Sequence, residues 1–366
     1  MTRLTWRQVR SRRLRRSLLA GRAPNDDLVE AVRAVCGIQA QVAAAAELAL
    51  AARVTRVTRS QVRAALWDTR TLAKTWTVRG TLHLHPADEL GTWLAARRGT
   101  REWTEGRWRA REGLGAREGS RLMDAIADAL DGRSLTRTAL ADEVRRRAGS
   151  RIADRIGSGW AYLLGPAATA GILCHGPPQG SSATFVRADQ WLGGRPRPDP
   201  TDALHEVARR FVATYGPATP HGFREWFYVD QDEAEAVFHL LAPELVTVEV
   251  DGRQAYLPAG DDADRSAARS VRLLPEYDCY VMGFRERHQL VSPAARDRAR
   301  QHPRGRFEGA APVPWLLVDG VVAGTWTRRR SGGEARVDVD PLEAPAATLA
   351  EAVERERRLV GRFLAS

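Results

Sequence analysis

Along this chain apolar positions recur at helical spacing in one stretch and alternate strictly in the next, and that change of period sets the expected architecture. In LVEAVRAVCGIQAQV (28–42), Leu28, Val32, Val35 and Cys36 share a helical face. Gly37 falls where a helix needs a left-handed residue to stop, so Gln39 and Gln41 lie just beyond a helix end. Residues two apart in an extended or turning segment point the same way, so both glutamines are expected on one side, with Ile38 and Ala40 toward the core. Upstream, TWRQVRSRRLRRSLL (5–19) sets Val9, Leu14, Leu18 and Leu19 against Arg7, Arg10, Arg12, Arg13, Arg15 and Arg16, a basic amphipathic helix. Downstream, AAAAELALAAR reads as a third helix, and Ser60 caps a fourth, QVRAALWD.

The period then shortens to two. Thr75–Val78, the pair Arg79-Gly80 and Thr81–His85, stopped by Pro86, predict a tight two-stranded ribbon after helices, the arrangement of a winged helix. Helices are expected over Pro86–Arg98, Gly119–Ala129, Ser134–Arg147 (the opening of a helix-turn-helix) and Trp160–Ala170, followed by two strands in ILCHGPPQGSSATFVRADQWL. GGRPRPDP (193–200) has linker composition. Thr201–Tyr215, TPHGFREWF with Pro220 in its first turn, and Gln231–Leu241 are again helical, and LVTVEVDGRQAYLP is a hairpin turning at Asp251-Gly252. The helices-then-ribbon order thus occurs three times. The tail adds a strand in VRLLPEYDCYVMGFRERHQLVSP, a second Asp-Gly hairpin in WLLVDGVVAGTWTRRR, the strand EARVDVD and a closing helix over 346–364. The expected fold is α+β. Winged-helix units occupy 1–98 (with the Gln-x-Gln motif), 99–195 and 196–260, and a β-rich element fills 261–366.

Composition narrows the function. A chain of 366 residues suggests two or three modules, and 43% hydrophobic content is ordinary for a soluble protein. Lys+Arg 56 against Asp+Glu 45 gives 56 − 45 = +11, which suits a polyanionic partner such as nucleic acid. Lys74 is the sole lysine, so nearly all positive charge is arginine, which forks onto phosphates and guanine edges; a GC-rich coding sequence gives the same bias. A Schiff-base mechanism would have only Lys74 or the N-terminal amine, which argues against lyase chemistry. Cys36, Cys174 and Cys279 show neither disulfide nor zinc spacing, as in a reducing cytoplasm. No secretory h-region and no apolar run of about 18 residues is found, so the expected location is the cytoplasm, at the nucleoid.

Two neutral amides can hold a water or a substrate edge by donating and accepting at once, but cannot remove a proton as a carboxylate would. Alternatively, Gln39 and Gln41 only close a helix junction. His83 and His85 share a strand face without a third ligand nearby, and neither a metal nor a cofactor is expected. Trp326 beside Arg328, Arg329 and Arg330 would furnish a ribbon that enters a DNA groove, or a solvated edge guarded by charge. Glu276 and Asp278, with Asp261 and Asp262, are the acids to test for catalysis or metal binding. HExxH, GxSxG, phosphate-loop and nicotinamide fingerprints do not occur.

KTWTVRGTLHLHPADE (74–89), LLPEYDCYVMGFRER (273–287), VDGVVAGTW (318–326) and IQAQ (38–41) together resemble the winged-helix AlkZ/YcaQ family of DNA glycosylases, over nearly the whole chain. The resemblance implies three tandem winged helices with a β-barrel-like element. It also implies excision of bulky N7-alkylated purines and unhooking of interstrand crosslinks, some made by DNA-alkylating antibiotics, which suits self-resistance. One branch of the family lines its active site with Gln-hydrophobic-Gln, as Gln39 and Gln41 would here, whereas the other branch ends the motif in Asp. The expected partner is double-stranded DNA with alkylated or crosslinked purines, with no required protein partner and no membrane. Its expected contacts are Lys74, Arg79, Arg285, Trp326, Arg328, Arg329 and Arg330. An N7-alkylated guanine is cationic and leaves as a neutral base, so orienting a water at C1′ is most of the task, and two amides suffice for it. A winged-helix regulator without catalysis, or a scaffold tracking phosphates, is the alternative, and neither needs the glutamine pair beside DNA.

Overall fold

In the computed structural model of the chain, residues 1–104, 106–157, 163–194, 197–261, 269–283, 287–302, 313–331, 334–343 and 347–366 are described. The strands, in chain order, are β1 (Thr2–Leu4), β2 (Ile38–Gln39), β3 (Leu72–Trp76), β4 (Leu82–Pro86), β5 (Leu135–Thr136), β6 (Leu173–Gln179), β7 (Ser182–Arg187), β8 (Leu245–Val250), β9 (Arg253–Pro258), β10 (Val271–Leu274), β11 (Trp315–Val318), β12 (Val321–Ser331) and β13 (Glu334–Pro341). The chain folds as two compact units. Unit 1 comprises Met1–Arg63, Arg209–Trp226 and Leu241–Ser366; unit 2 comprises Ala64–Ala208 and Phe227–Leu240.

Unit 1 holds two sheets. The first has the order β1-β8-β9. Its Asp251-Gly252 turn has both residues left-handed (φ 50° and 74°), which matches the twist of the hairpin strands. The parallel strand β1, with Thr2 opposite Val248, was not legible because three residues carry no period. Leu4, Val9, Val248, Val250, Ala255 and Leu257 form the core beneath it. The second sheet is β10-β11-β12-β13, antiparallel throughout and open at both edges, so the barrel-like element implied by the resemblance is not closed among the described residues. Leu274, Tyr280, Trp315, Leu317 and Val322 pack beneath it against Leu14 and Leu19. Each such apolar side chain removed from water contributes about 1.5–3 kcal/mol.

Unit 2 is built on a mainly helical core. In the Ala116–Ala129 helix the buried Leu122, Ala125, Ile126 and Ala129 keep the three-and-four spacing of a core-facing stripe. They meet Leu140 and Val144 of the Arg137–Ala148 helix, which Thr136 caps by accepting from the Ala139 N–H at 3.3 Å. The hairpin β3–β4 pairs Thr75 with His83 and turns through left-handed Arg79 and Gly80 (φ 57° and 66°), as the residues predict. The second hairpin, β6–β7, is joined by β5 in the order β5-β7-β6. The fourth helix begins at Arg59, one residue before Ser60, because Thr58 and Gln61 cap it reciprocally: the Thr58 N–H donates to Gln61 Oε1 at 2.8 Å.

The basic N-terminal helix departs from a simple two-faced pattern. Val9, Leu14 and Leu19 are buried as expected, but so are Arg12 and Arg13. Arg12 donates to the carbonyls of Gly216 (3.0 Å) and Ala213 (2.9 Å), and Arg13 to that of Pro217 (3.0 Å). These carbonyls lie at and just beyond the end of the Pro200–Tyr215 helix, where backbone acceptors lack helical partners and favour a cation. The Asp261 carboxylate pairs with Arg12 as well. Two arginines of the expected polar face are therefore internal struts.

Candidate active site

The Gln-Ala-Gln segment follows the helix Leu28–Ala34, whose end is built in detail. The Cys36 N–H donates to the Arg33 carbonyl (3.1 Å) and the Gly37 N–H to that of Val32 (3.0 Å), the paired bonds of a Schellman stop. The left-handed stop begins one residue earlier than the glycine suggests. Cys36 has φ 59° and Gly37 φ 97°, so a cysteine occupies the conformation that glycine normally takes. Gln39 lies on β2, and after a bend at Gln41 and Val42 the helix Ala43–Ala51 begins.

Ile38 and Ala40 are each 1% exposed, so they face the core as expected. The glutamines differ from one another: Gln39 is 8% exposed, whereas Gln41 is exposed at the surface. One amide is held inside the protein and the other stands where a solvent-borne reactant reaches it. The segment is tied at both ends. Upstream, Thr214 Oγ1 donates to the Ala34 carbonyl (3.0 Å) and the Tyr215 hydroxyl donates to that of Val35 (2.8 Å), serving two acceptors the helix end leaves open. Downstream, Arg53 donates at 2.7 Å to each oxygen of Asp278, both side chains being fully buried, and also to the Ala49 carbonyl at 2.9 Å. Burial works against the Arg53 charge, and the Asp278 carboxylate more than reverses it, so the guanidinium stays charged.

The acids named from the sequence are thereby placed. Asp278 is a structural anchor, bound to Arg53 and accepting from the Tyr280 N–H (2.9 Å) at the start of the Cys279–Met282 helix. Glu276 is 2% exposed and pairs with Arg328 at 3.3 Å, and Asp261 pairs with Arg12 and Arg16. Asp262 lies outside the described residues. Among the described residues no three His, Cys, Asp or Glu side chains gather as metal ligands would. His83 is buried, its Nδ1–H donating to the Thr81 carbonyl at 3.0 Å; burial, then the Arg79 charge, lowers its pKa to about 3. His85 Nε2 bonds the Thr77 hydroxyl at 2.8 Å, so both are core residues of the strand.

The expected DNA contacts separate by exposure. Trp326 is corrected: it is 1% exposed and its indole N–H donates to the Leu274 carbonyl at 2.8 Å, so it belongs to the core and offers no face to a groove. Its neighbour two residues on, Arg328, shares that strand face and pairs with Glu276, while Arg329 on the other face is 75% exposed beside Asp338. Arg330 stands opposite Ala335 in the β12–β13 register. Lys74 is half-buried, and its charge, after burial, helps hold the His175 ring neutral. Arg79 is half-buried in the β3–β4 turn, and Arg285 lies outside the described residues. Tyr215, Thr214 and Arg53 had no signal along the chain, because each acts on residues far away in sequence.

The fold of this chain recurs in a solved DNA glycosylase. The structure of Streptomyces sahachiroi DNA glycosylase AlkZ matches with a TM-score of 0.84 at 30% identity, over 99% of this chain and 97% of that one. An interstrand DNA cross-link repair glycosylase of Streptomyces sahachiroi is 31% identical over 335 residues, 88% of this chain and 87% of the relative. The DNA glycosylase AlkZ-like family profile covers residues 32–363, and the chain belongs to that family.

Proposed function

We propose that this protein hydrolyses the N-glycosidic bond of bulky N7-alkylated purines and unhooks interstrand crosslinks, leaving abasic sites in double-stranded DNA. What carries the reading is the Gln-Ala-Gln turn, tied at both ends, in a chain of a DNA glycosylase family. The cationic base is already a good leaving group, so the protein must place a water at C1′ and favour an oxocarbenium-like sugar. Gln41, at the surface, meets the sugar and its water, and Gln39, largely buried, keeps the orientation of the turn. Neutral amides are too weak to act on an intact nucleotide, which protects undamaged DNA. The three helix-then-ribbon stretches act as winged helices. Lys74, Arg79, Arg285, Arg329 and Arg330 contact the phosphates, with Arg328 shared between DNA and Glu276. The reaction takes place in the cytoplasm at the nucleoid, and self-resistance to a DNA-alkylating natural product is the role it suits.

Purified protein incubated with N7-methylguanine DNA and with crosslinked DNA, then heated in alkali, should reveal abasic sites as strand breaks. Gln39→Ala and Gln41→Ala should each slow single-turnover excision ten-fold or more, about 1.4 kcal/mol of barrier or above, with little change in DNA affinity. A folded double mutant that excises like wild type would overturn the assignment. Tight DNA binding without excision by the wild-type protein would leave the regulator in its place.

A further inference from the structure

We infer that Tyr215, set against Gly283, is a positioning residue for the Gln39–Gln41 turn. This rests on the glycosylase reading above and goes beyond it by assigning a residue that meets neither DNA nor the reacting atoms. Tyr215 is 2% exposed at the end of the Pro200–Tyr215 helix. Its hydroxyl donates to the carbonyl of Val35 (2.8 Å), four residues before Gln39, at the point where the chain leaves the helix for its left-handed stop. Thr214 acts beside it. Since Thr214 Oγ1 gives its proton to the Ala34 carbonyl, it accepts from the Cys36 thiol at 3.4 Å, so the left-handed cysteine is held through its side chain as well. A non-glycine residue in that conformation persists only where its surroundings over-determine it.

The ring of Tyr215 is itself clamped. Phe211 and Trp226 each lie 5.7 Å from it, centroid to centroid. On another side a Cβ at Gly283 would overlap the ring and would come within 2.9 Å of the Cys279 carbonyl, so glycine is what lets the ring approach this backbone. The ring also borders a cavity of about 220 Å³ lined by Trp6, Phe211, Thr219 and His288. From Gly283 through the ring to Val35 the contacts are therefore stiff, and a shift of the hydroxyl is passed to a turn only a few residues long. Catalysis by orientation is sensitive to displacements of about 1 Å, which can cost on the order of 100-fold in rate.

Tyr215→Phe keeps the ring and removes the bond to Val35, and Gly283→Ala displaces the ring while keeping the hydroxyl. Each variant of the full chain would be compared with wild type in single-turnover excision of N7-methylguanine, in DNA affinity by anisotropy, in melting temperature, and in the side-chain amide resonances of Gln39 and Gln41 after selective 15N-glutamine labelling. The expected result for Tyr215→Phe is a rate loss on the order of ten-fold, affinity within about two-fold, and displaced amide resonances; Gly283→Ala moves the same resonances further. Wild-type rate together with unmoved resonances in Tyr215→Phe would overturn the proposal, as would a rate loss that only tracks the folded fraction. A wild-type protein that excises nothing sinks the glycosylase reading instead, and the amide resonances still decide whether Tyr215 sets the turn.

Discussion

Unit 1 and unit 2 come from one arginine-rich chain, yet they bury opposite kinds of polar side chain. Among the described residues the buried arginines, Arg12, Arg13, Arg53 and Arg272, all belong to unit 1, and the buried histidines, His83, His85 and His175, all belong to unit 2. An arginine cannot shed its charge, so unit 1 supplies each one with acceptors: helix-end carbonyls for Arg12 and Arg13, Asp278 for Arg53, and Glu356 for Arg272, whose pKa burial and then Arg22 lower to about 10. A histidine can shed its charge, and in unit 2 burial keeps His83 and His175 neutral. Among the described residues no arginine of unit 2 is buried, and Arg133, Arg146 and Arg147 form an exposed cluster around Glu143. Arg12, Arg53 and Arg272 are thus matched inside unit 1 by Asp261, Asp278 and Glu356, so these arginines are not among the cations that could meet DNA.

The comparison breaks most sharply at Arg53. Asp278→Ala leaves a fully buried guanidinium without its carboxylate and should destabilise the protein by about 3–5 kcal/mol in urea unfolding; a loss under about 1 kcal/mol would mean that the pair is not an anchor.

Acid tests unit 2. Between the folded value of about 3 for His83 and the ordinary 6.5, the unfolded chain binds a proton that the folded chain refuses, so stability is full above pH 6.5 and falls as pH drops toward 3. From pH 6.5 to 5 the expected loss for this one group is about 2 kcal/mol. A melting temperature for His83→Gln as acid-sensitive as that of wild type would place the effect elsewhere.

The smallest effect should appear on β12. Arg328→Ala withdraws the cation from a carboxylate only 2% exposed and should cost about 1–3 kcal/mol, whereas Arg329→Ala should stay within about 0.5 kcal/mol and act instead on DNA affinity and its salt dependence. Equal stability losses for the two would erase the distinction between the faces of the strand.

Much was legible along the chain because it depends on neighbours in sequence. The helix before Gly37, the ribbon turning at Arg79-Gly80, the Asp-Gly hairpins and the burial of Ile38 and Ala40 follow from period and turn chemistry, which act within a few residues. The motif blocks, in their order, pointed to the family that the profile over residues 32–363 shows. Tertiary structure alone decided the rest. It put Cys36 in the left-handed position ahead of the glycine, drew Trp326 into the core, made struts of Arg12 and Arg13, and set Asp278 on Arg53, which is 225 residues away in sequence. The physical reason is common to all four: a buried donor or charge is stable only opposite a particular acceptor, and in a folded chain that acceptor is a neighbour in space that no local pattern announces.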